Sequence, residues 1–309
     1  MDWSSVGPDL ASNLLANVIF AVMVAVAAIV LGNIAWRRKV RAFFNMKPNR
    51  GRLPVYLSNI VVHPGGTTGT GPISVGYHGT AITELEYKYA LAFAATVESK
   101  PLYRALRALD SAELLTTVDP IVCHIGTSPA ASELGDPSRV SEYIREGTTL
   151  IVGAPIYNSL TDYVMRTVPS HFEFIRFDDK ERGIKVRNFK GSDTFVFKRG
   201  LYTRERPDGK ERPFLKEYFI IERLTWKRGT GRHKRKSTIF ICAGTCSAST
   251  AAALRMLADW PKLAKVYGTE DFGLLCEIHL DAADGRDTIP REMPPPEDEP
   301  FMVHHYGES

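Results

Sequence analysis

Apolar residues run without interruption from Val18 to Leu31, close to the N-terminus, and a wholly basic stretch follows at once. Extended to Leu14 and Trp36, the segment matches the ~20 residues that a helix needs to cross a bilayer. A single transmembrane helix is therefore predicted over 14–36. A cleaved signal peptide would carry its charge in front, with a shorter apolar core. Here the charge lies behind, and Trp36 fits an interfacial aromatic anchor.

After the anchor the pattern changes to short apolar runs broken by glycine. Pro54–Val62, Asp119–Ile125, Thr148–Val152 and Thr238–Ala243 each read as a buried strand, and each meets a glycine-containing turn. Helical spacing follows. Ile82, Leu85, Tyr89, Phe93 and Val97 mark one face of a helix that Thr83 and Glu86 open as a capping box. Further helices are expected over Leu102–Leu115, around Arg139–Arg145, from Asn158-Ser159 to Thr167, and from an N-cap at Ser247 to Gly268. Phe272–Leu280 reads as a last strand. Near-continuous apolar strands joined by helices point to a mainly parallel sheet covered on both faces. Residues 171–236 differ: they alternate, and Asp178-Asp179 and Pro207-Asp208-Gly209 punctuate them as hairpins. The predicted fold class is α/β: an N-terminal transmembrane helix, then a Rossmann-like, mainly parallel domain with a β-hairpin insertion. The expected divisions are 1–13 outside the cytoplasm, 14–36 in the membrane and 37–52 as a basic linker. The domain would occupy 53–280 with the insertion at 171–236, leaving 281–309 as an acidic, proline-rich disordered tail.

Charge sets the expected orientation. Arg37, Arg38, Lys39, Arg41, Lys47, Arg50 and Arg52 follow the anchor with no acid among them, whereas Asp2 and Asp9 precede it. Positive charge resists translocation, so the domain is expected in the cytoplasm. The net charge of the 309-residue chain is only +4, and 44% of it is apolar, as a packed domain requires. Cys123, Cys242, Cys246 and Cys276 lack the paired spacing of a zinc site, and no metal or cofactor is assigned. Buried small hydrophobes are the expectation for these thiols in a reducing compartment.

In an open parallel sheet, ligands bind beyond the carboxyl ends of the strands, where helix N-termini present backbone N–H groups. Those ends here hold Gly65-Gly66-Thr67-Thr68, Gly126-Thr127-Ser128, Gly153-Ala154-Pro155 with Asn158, and Gly244-Thr245-Cys246-Ser247. The candidate ligand-binding residues are Gly126, Thr127, Ser128, Gly153, Pro155, Asn158, Gly244, Thr245 and Ser247. Neither a Walker-type lysine loop nor G-x-G-x-x-G is present, which removes conventional triphosphatase and dehydrogenase chemistry. Glu84, Glu86 and Asp162 are the acidic candidates for catalysis, and His63, His78 and His124 the basic ones. Each carboxylate also has a structural explanation in the first turn of a helix.

The strand–turn–helix texture resembles Rossmann-like nucleotide-binding domains, and the turn Gly153–Ser159 resembles that of nucleoside deoxyribosyltransferases. The resemblance implies a nucleotide-like ligand, and the absence of a convergent acid, base and nucleophile in the motifs favours binding of a small anionic ligand in a sensing or regulatory role over catalysis. Two other readings stand beside it. One is a nucleotide- or nucleoside-processing enzyme that cleaves a glycosidic bond; the other is a membrane assembly protein, a homo-oligomer packed through Ala21, Ala25, Ala27 and Ala28. The expected partners are the lipid bilayer, the anionic ligand and anionic headgroups at the basic loop Lys227–Lys236.

Overall fold

The computed structural model describes residues 6–47, 51–58, 60–62, 67–68, 71–72, 79–81, 84–98, 121–144, 147–176, 182–187, 195–205, 211–228, 235–281 and 301–306. The predicted helix Leu102–Leu115, Gly65 and Gly66, Thr83, His63 and His78 lie outside them. Helix α1 (Val6–Phe43) opens the chain, and its segment Asn13–Phe43 is long and apolar enough to cross a membrane. Its most apolar stretch buries nothing against protein.

Further along, the same helix becomes part of the domain. Asn33, Arg37, Val40, Phe43 and Phe44 are buried, at spacings of three and four that keep them on one face. Trp36 meets Trp260 edge-on at 4.6 Å, and Phe44 lies 5.0 Å from Phe240 and 5.9 Å from Phe93. Residues 37–43, expected as part of a basic linker, are thus a helical turn pair whose apolar side enters the core. The dense charge on the other side hides that pattern.

The strands are β1 (Arg52–Leu57), β2 (Ile60–Val62), β3 (Thr67–Thr68), β4 (Gly71–Pro72), β5 (Gly79–Ala81), β6 (Val122–Thr127) and β7 (Gly147–Val152). They continue with β8 (Phe172–Arg176), β9 (Arg182–Val186), β10 (Phe195–Lys198), β11 (Gly200–Glu205), β12 (Glu211–Arg228), β13 (Arg235–Gly244), β14 (Phe272–Asp281) and β15 (Phe301–Tyr306). The main sheet has eight strands, ordered β15-β14-β12-β13-β7-β1-β6, with β11 on the first half of β12. β6, β1, β7 and β13 pair in parallel, and β12 and β15 alone run against the rest, so the sheet is mostly parallel. One face is covered by the end of α1 with α2 (Glu84–Glu98), α5 (Ser247–Ala258) and α6 (Trp260–Tyr267). The other is covered by α3 (Pro137–Tyr143), α4 (Ser159–Thr167) and the separate antiparallel sheet β10-β9-β8. β7 is buried along its whole length, as a central strand covered on both sides must be.

Pro54–Val62, expected as one buried strand, is β1 followed by β2, which pairs with β5 outside the main sheet. Two other segments depart from the sequence reading. Within 171–236, β8, β9 and β10 form the small sheet, but β12 runs on as a long strand of the main sheet. Its residues 217–224 are all buried, which alternation alone did not reveal. The second departure is in the expected disordered tail, where Phe301–Tyr306 forms β15 against β14. Aromatic side chains explain it: Tyr306 stacks on His171 at 3.7 Å and its hydroxyl donates to buried Glu222 at 2.7 Å. Gly273 leaves the room that the Tyr306 ring fills, since a Cβ there would overlap it.

Two expectations follow. Phe44→Ala should destabilise the full chain by roughly 3–5 kcal/mol, the range for a deleted core ring, read as a lower denaturant midpoint in mild detergent. An unchanged midpoint would mean that α1 does not belong to the core. Ending the chain at Asp281 should lower the melting temperature by several degrees, because β14 loses one of its two neighbouring strands and Glu222 loses the Tyr306 hydroxyl; a melting curve identical to that of the whole chain would contradict the docking of β15.

Candidate functional site

All the parallel strands end at one edge of the sheet. Thr127 follows Gly126 at the end of β6 and pairs with Leu57 of β1; Gly153 follows β7 and its N–H donates to the carbonyl of Cys242 in β13. The turns after β6, β7 and β13 therefore lie at one edge, while the Gly65-Gly66 turn lies outside the described residues. They differ sharply in what their polar groups do.

Around β1 and β7 the polar groups satisfy one another. Asn158 is fully buried and caps α4: its Oδ1 accepts from the N–H groups of Leu160 and Thr161, both at 3.1 Å. Its Nδ2 donates to the carbonyls of Val152 (2.8 Å) and Tyr56 (3.2 Å). Ser128 Oγ accepts from the Leu160 N–H at 3.2 Å, and Thr161 Oγ1 donates to the Gly153 carbonyl at 2.9 Å. Gly153 has φ +116°, and a Cβ would overlap Ser58 Oγ, so glycine is required twice over. Asn158, Ser128 and Gly153 thus have a complete architectural role.

Around β7 and β13 there is space. A cavity of about 300 Å³ is lined by Ala154, Pro155, Ile156, Asp162, Arg166, Phe174, Ile175, Gly183, Gly244 and Thr245. It lies at the first turns of α4 and under the edge of the small sheet. Asp162 and Arg166 pair at 2.9 Å on successive turns, and the Arg166 side chain is 77% exposed. Of the nine sequence-derived residues, Pro155, Gly244 and Thr245 line this cavity. Gly126, Thr127, Ser128, Gly153, Asn158 and Ser247 do not. Ser247 is the first residue of α5; the N-cap is Cys246, whose Sγ accepts from the Ser249 N–H at 3.4 Å. Gly244 is tightly enclosed, since a Cβ would overlap Ser249 Oγ and the Thr250 nitrogen. Any larger residue there therefore reports on folding and not on ligand approach.

Behind Thr245 lies a group of charged residues that sequence reasoning missed. Glu217 of β12 is fully buried where β12 leaves β11 for β13. It accepts from Arg199 Nε at 2.5 Å and from the hydroxyl of Thr245. Burial raises the Glu217 carboxyl above its usual range, partly offset by Arg199 and by hydrogen bonds from Thr245 and Cys246. Burial also pushes the Cys246 thiol up to about 12, with the Glu217 charge adding to it, so it stays protonated near neutrality. The signal was present: within Phe214–Leu224 the pairs Lys216-Glu217 and Glu222-Arg223 bracket the apolar run Tyr218–Ile221. Arg166 is likewise the i+4 partner of Asp162, whereas Phe174 and Ile175 come from a strand that spacing could not place.

The catalytic candidates scatter. Glu84 is exposed and Glu86 buried on α2, His124 is exposed on edge strand β6, and Asp162 alone among them lines the cavity. No group of metal-binding side chains occurs among the described residues. Comparison with protein-family models, curated proteins and solved structures gave no match.

The Glu217 site makes a signed prediction. A carboxyl whose folded pKa is raised binds its proton more tightly in the native state, so its contribution falls as pH rises above the unfolded value of ~4.3. The stability of the wild-type chain minus that of Glu217→Gln should therefore decrease from about pH 4 toward neutrality. Chemical unfolding across that range checks it, and a flat difference would reject the raised pKa.

Proposed function

We propose that this chain is a membrane-anchored, Rossmann-like domain that binds a small anionic ligand of the nucleotide class in a sensing or regulatory role. The observation that carries the reading is the cavity at the carboxyl ends of β7 and β13. Supporting it, the parallel strands follow the spatial order second, first, third, fourth in the chain, with β1 and β7 flanking the point where the connections diverge. Ligands of doubly wound sheets bind beside such a point. Arg166 at the cavity would meet an anionic group, while Phe174, Ile156 and Ile175 would cover a ring. The basic residues after the span support a cytoplasmic domain with the N-terminus outside.

A processing enzyme is the second reading, favoured by Asp162 on the same cavity wall. Extraction of the purified full chain, followed by mass spectrometry, separates the two. A nucleotide retained intact supports binding, turnover during incubation supports the enzyme, and an empty protein that binds no nucleotide rejects both. Arg166→Ala should weaken nucleotide binding by ~1.5–3 kcal/mol, the value of a bond to a charged group. Its melting temperature should hardly move, because an exposed i,i+4 ion pair contributes only ~0.3–0.5 kcal/mol. Unaltered affinity, measured by calorimetry, would take Arg166 out of the site.

A further inference from the structure

The two ends of β13 carry different chemistry. Gly244 at its finish belongs to the cavity, whereas Lys236 near its start lies eight residues away, roughly 26 Å along the strand. At that end an open groove of about 900 Å³ is lined by the paired strands β12 and β13, the ends of α1 and α4, and the turn before β14.

The cations of this groove repel one another. Lys227 and Lys236 are both exposed and stand directly opposite each other in the antiparallel register, where like charges destabilise the pairing. Neither lysine forms an ion pair among the described residues. Arg223 lies four residues before Lys227 and so shares its face of β12. It is 2% exposed, its guanidinium lies 5.8 Å from the Phe240 ring centre, and its Nη1 donates to the carbonyls of Thr269 and Glu270. Its buried Nε has no hydrogen-bond partner among the described residues. Two acids line the same groove. Asp271 is held by Thr225, whose N–H and hydroxyl donate to it at 2.9 and 2.8 Å, and Glu270 is exposed. Three cations against two acids leave the groove positive.

A phosphate monoester matches this arrangement. It carries a charge of about −1.5 to −2 near neutrality, enough to balance two lysines, and its oxygens accept strong hydrogen bonds from ammonium groups. Trp226, Val168 and Pro169 give the rest of a small molecule an apolar wall. Such a phosphate could belong to a lipid or to a soluble molecule. On the membrane-anchor reading, the ~20 residues that fill the hydrocarbon layer from Leu14 end at Asn33. Ala42, which lines the groove, stands nine residues further, roughly 14 Å along the axis. That is past a headgroup layer about 5–7 Å deep. Position favours the soluble molecule.

We propose that this groove is a second anion site, separate from the cavity, that holds the phosphate of a small soluble phosphomonoester between Lys227 and Lys236. Buried Arg223 adds a fixed positive charge. The bound phosphate removes the repulsion between the facing lysines and so ties β12 to β13 at the base of the basic hairpin.

The test uses the full chain in phosphatidylcholine nanodiscs, with inorganic phosphate replacing chloride at constant ionic strength so that screening is unchanged. Brief acetylation, mapped by peptide mass spectrometry, reads Lys227 and Lys236 against Lys198 on the small sheet. At saturating phosphate their labelling should fall about fivefold relative to Lys198. In mild detergent, phosphate should also raise the melting temperature. The double variant Lys227→Gln, Lys236→Gln should melt no lower than the wild-type chain without phosphate, because the facing charges are gone, and should gain nothing when phosphate is added. The cavity is lined by no lysine, so the labelling separates the two sites. Unchanged labelling of Lys227 and Lys236 overturns the proposal. So does a phosphate-induced melting shift that persists in the double variant and disappears in Arg166→Ala. Equal protection by phosphatidic acid in the disc, without added phosphate, overturns the assignment to a soluble ligand.

Discussion

The rest of the structure depends on the entry of α1 into the core. Phe43 lies 5.5 Å from Phe240, 6.0 Å from Trp260 and 6.2 Å from Phe272, so the last turn of α1 touches β13, α6 and β14 together. Buried aromatic pairs of this kind add to the large area they remove from water. A flexible tether would let the domain reorient freely; a helix whose side chains belong to the core does not. The domain and α1 therefore share one fold, and removing α1 opens the aromatic cluster.

β13 carries the consequences across the sheet. Near its start, Thr238 Oγ1 accepts from Asn45 Nδ2 at 2.8 Å, just past the end of α1; at its finish, Gly244 and Thr245 line the cavity. It also divides the parallel strands from the antiparallel ones, pairing with β7 on one side and β12 on the other. β12 bears the buried acids: Glu217 toward α5, held by Arg199 and Thr245, and Glu222 toward the small sheet, held by Ser170 at 2.6 Å and Tyr306 at 2.7 Å. Buried carboxylates are tolerable only with such partners. They tie segments distant in sequence to one strand, Arg199 and Thr245 through Glu217, and Ser170 and the last strand through Glu222.

The turns at the strand ends show why hydroxyl- and glycine-rich motifs are ambiguous. Asn158 has both donors and its acceptor oxygen engaged within the fold, and Gly153 is fixed by φ and by Ser58. A tight connection between strand and helix calls for the same residues that a phosphate site would use. Space, and not residue type, separates the two. It lies one strand over, beside Pro155, Gly244 and Thr245.

The sequence by itself determined the apolar helix, the strand–turn–helix units and their gathering at one edge. Each of these depends on local periodicity and on residues with narrow backbone preferences, which short windows contain. Tertiary structure alone decided that Phe43 and Phe44 enter the core, that β12 crosses the main sheet, and that Phe301–Tyr306 closes its edge. It also decided which turns are filled and which leave a cavity. Those outcomes depend on contacts between segments far apart in the chain, where burial and pairing override a charged or proline-rich local composition.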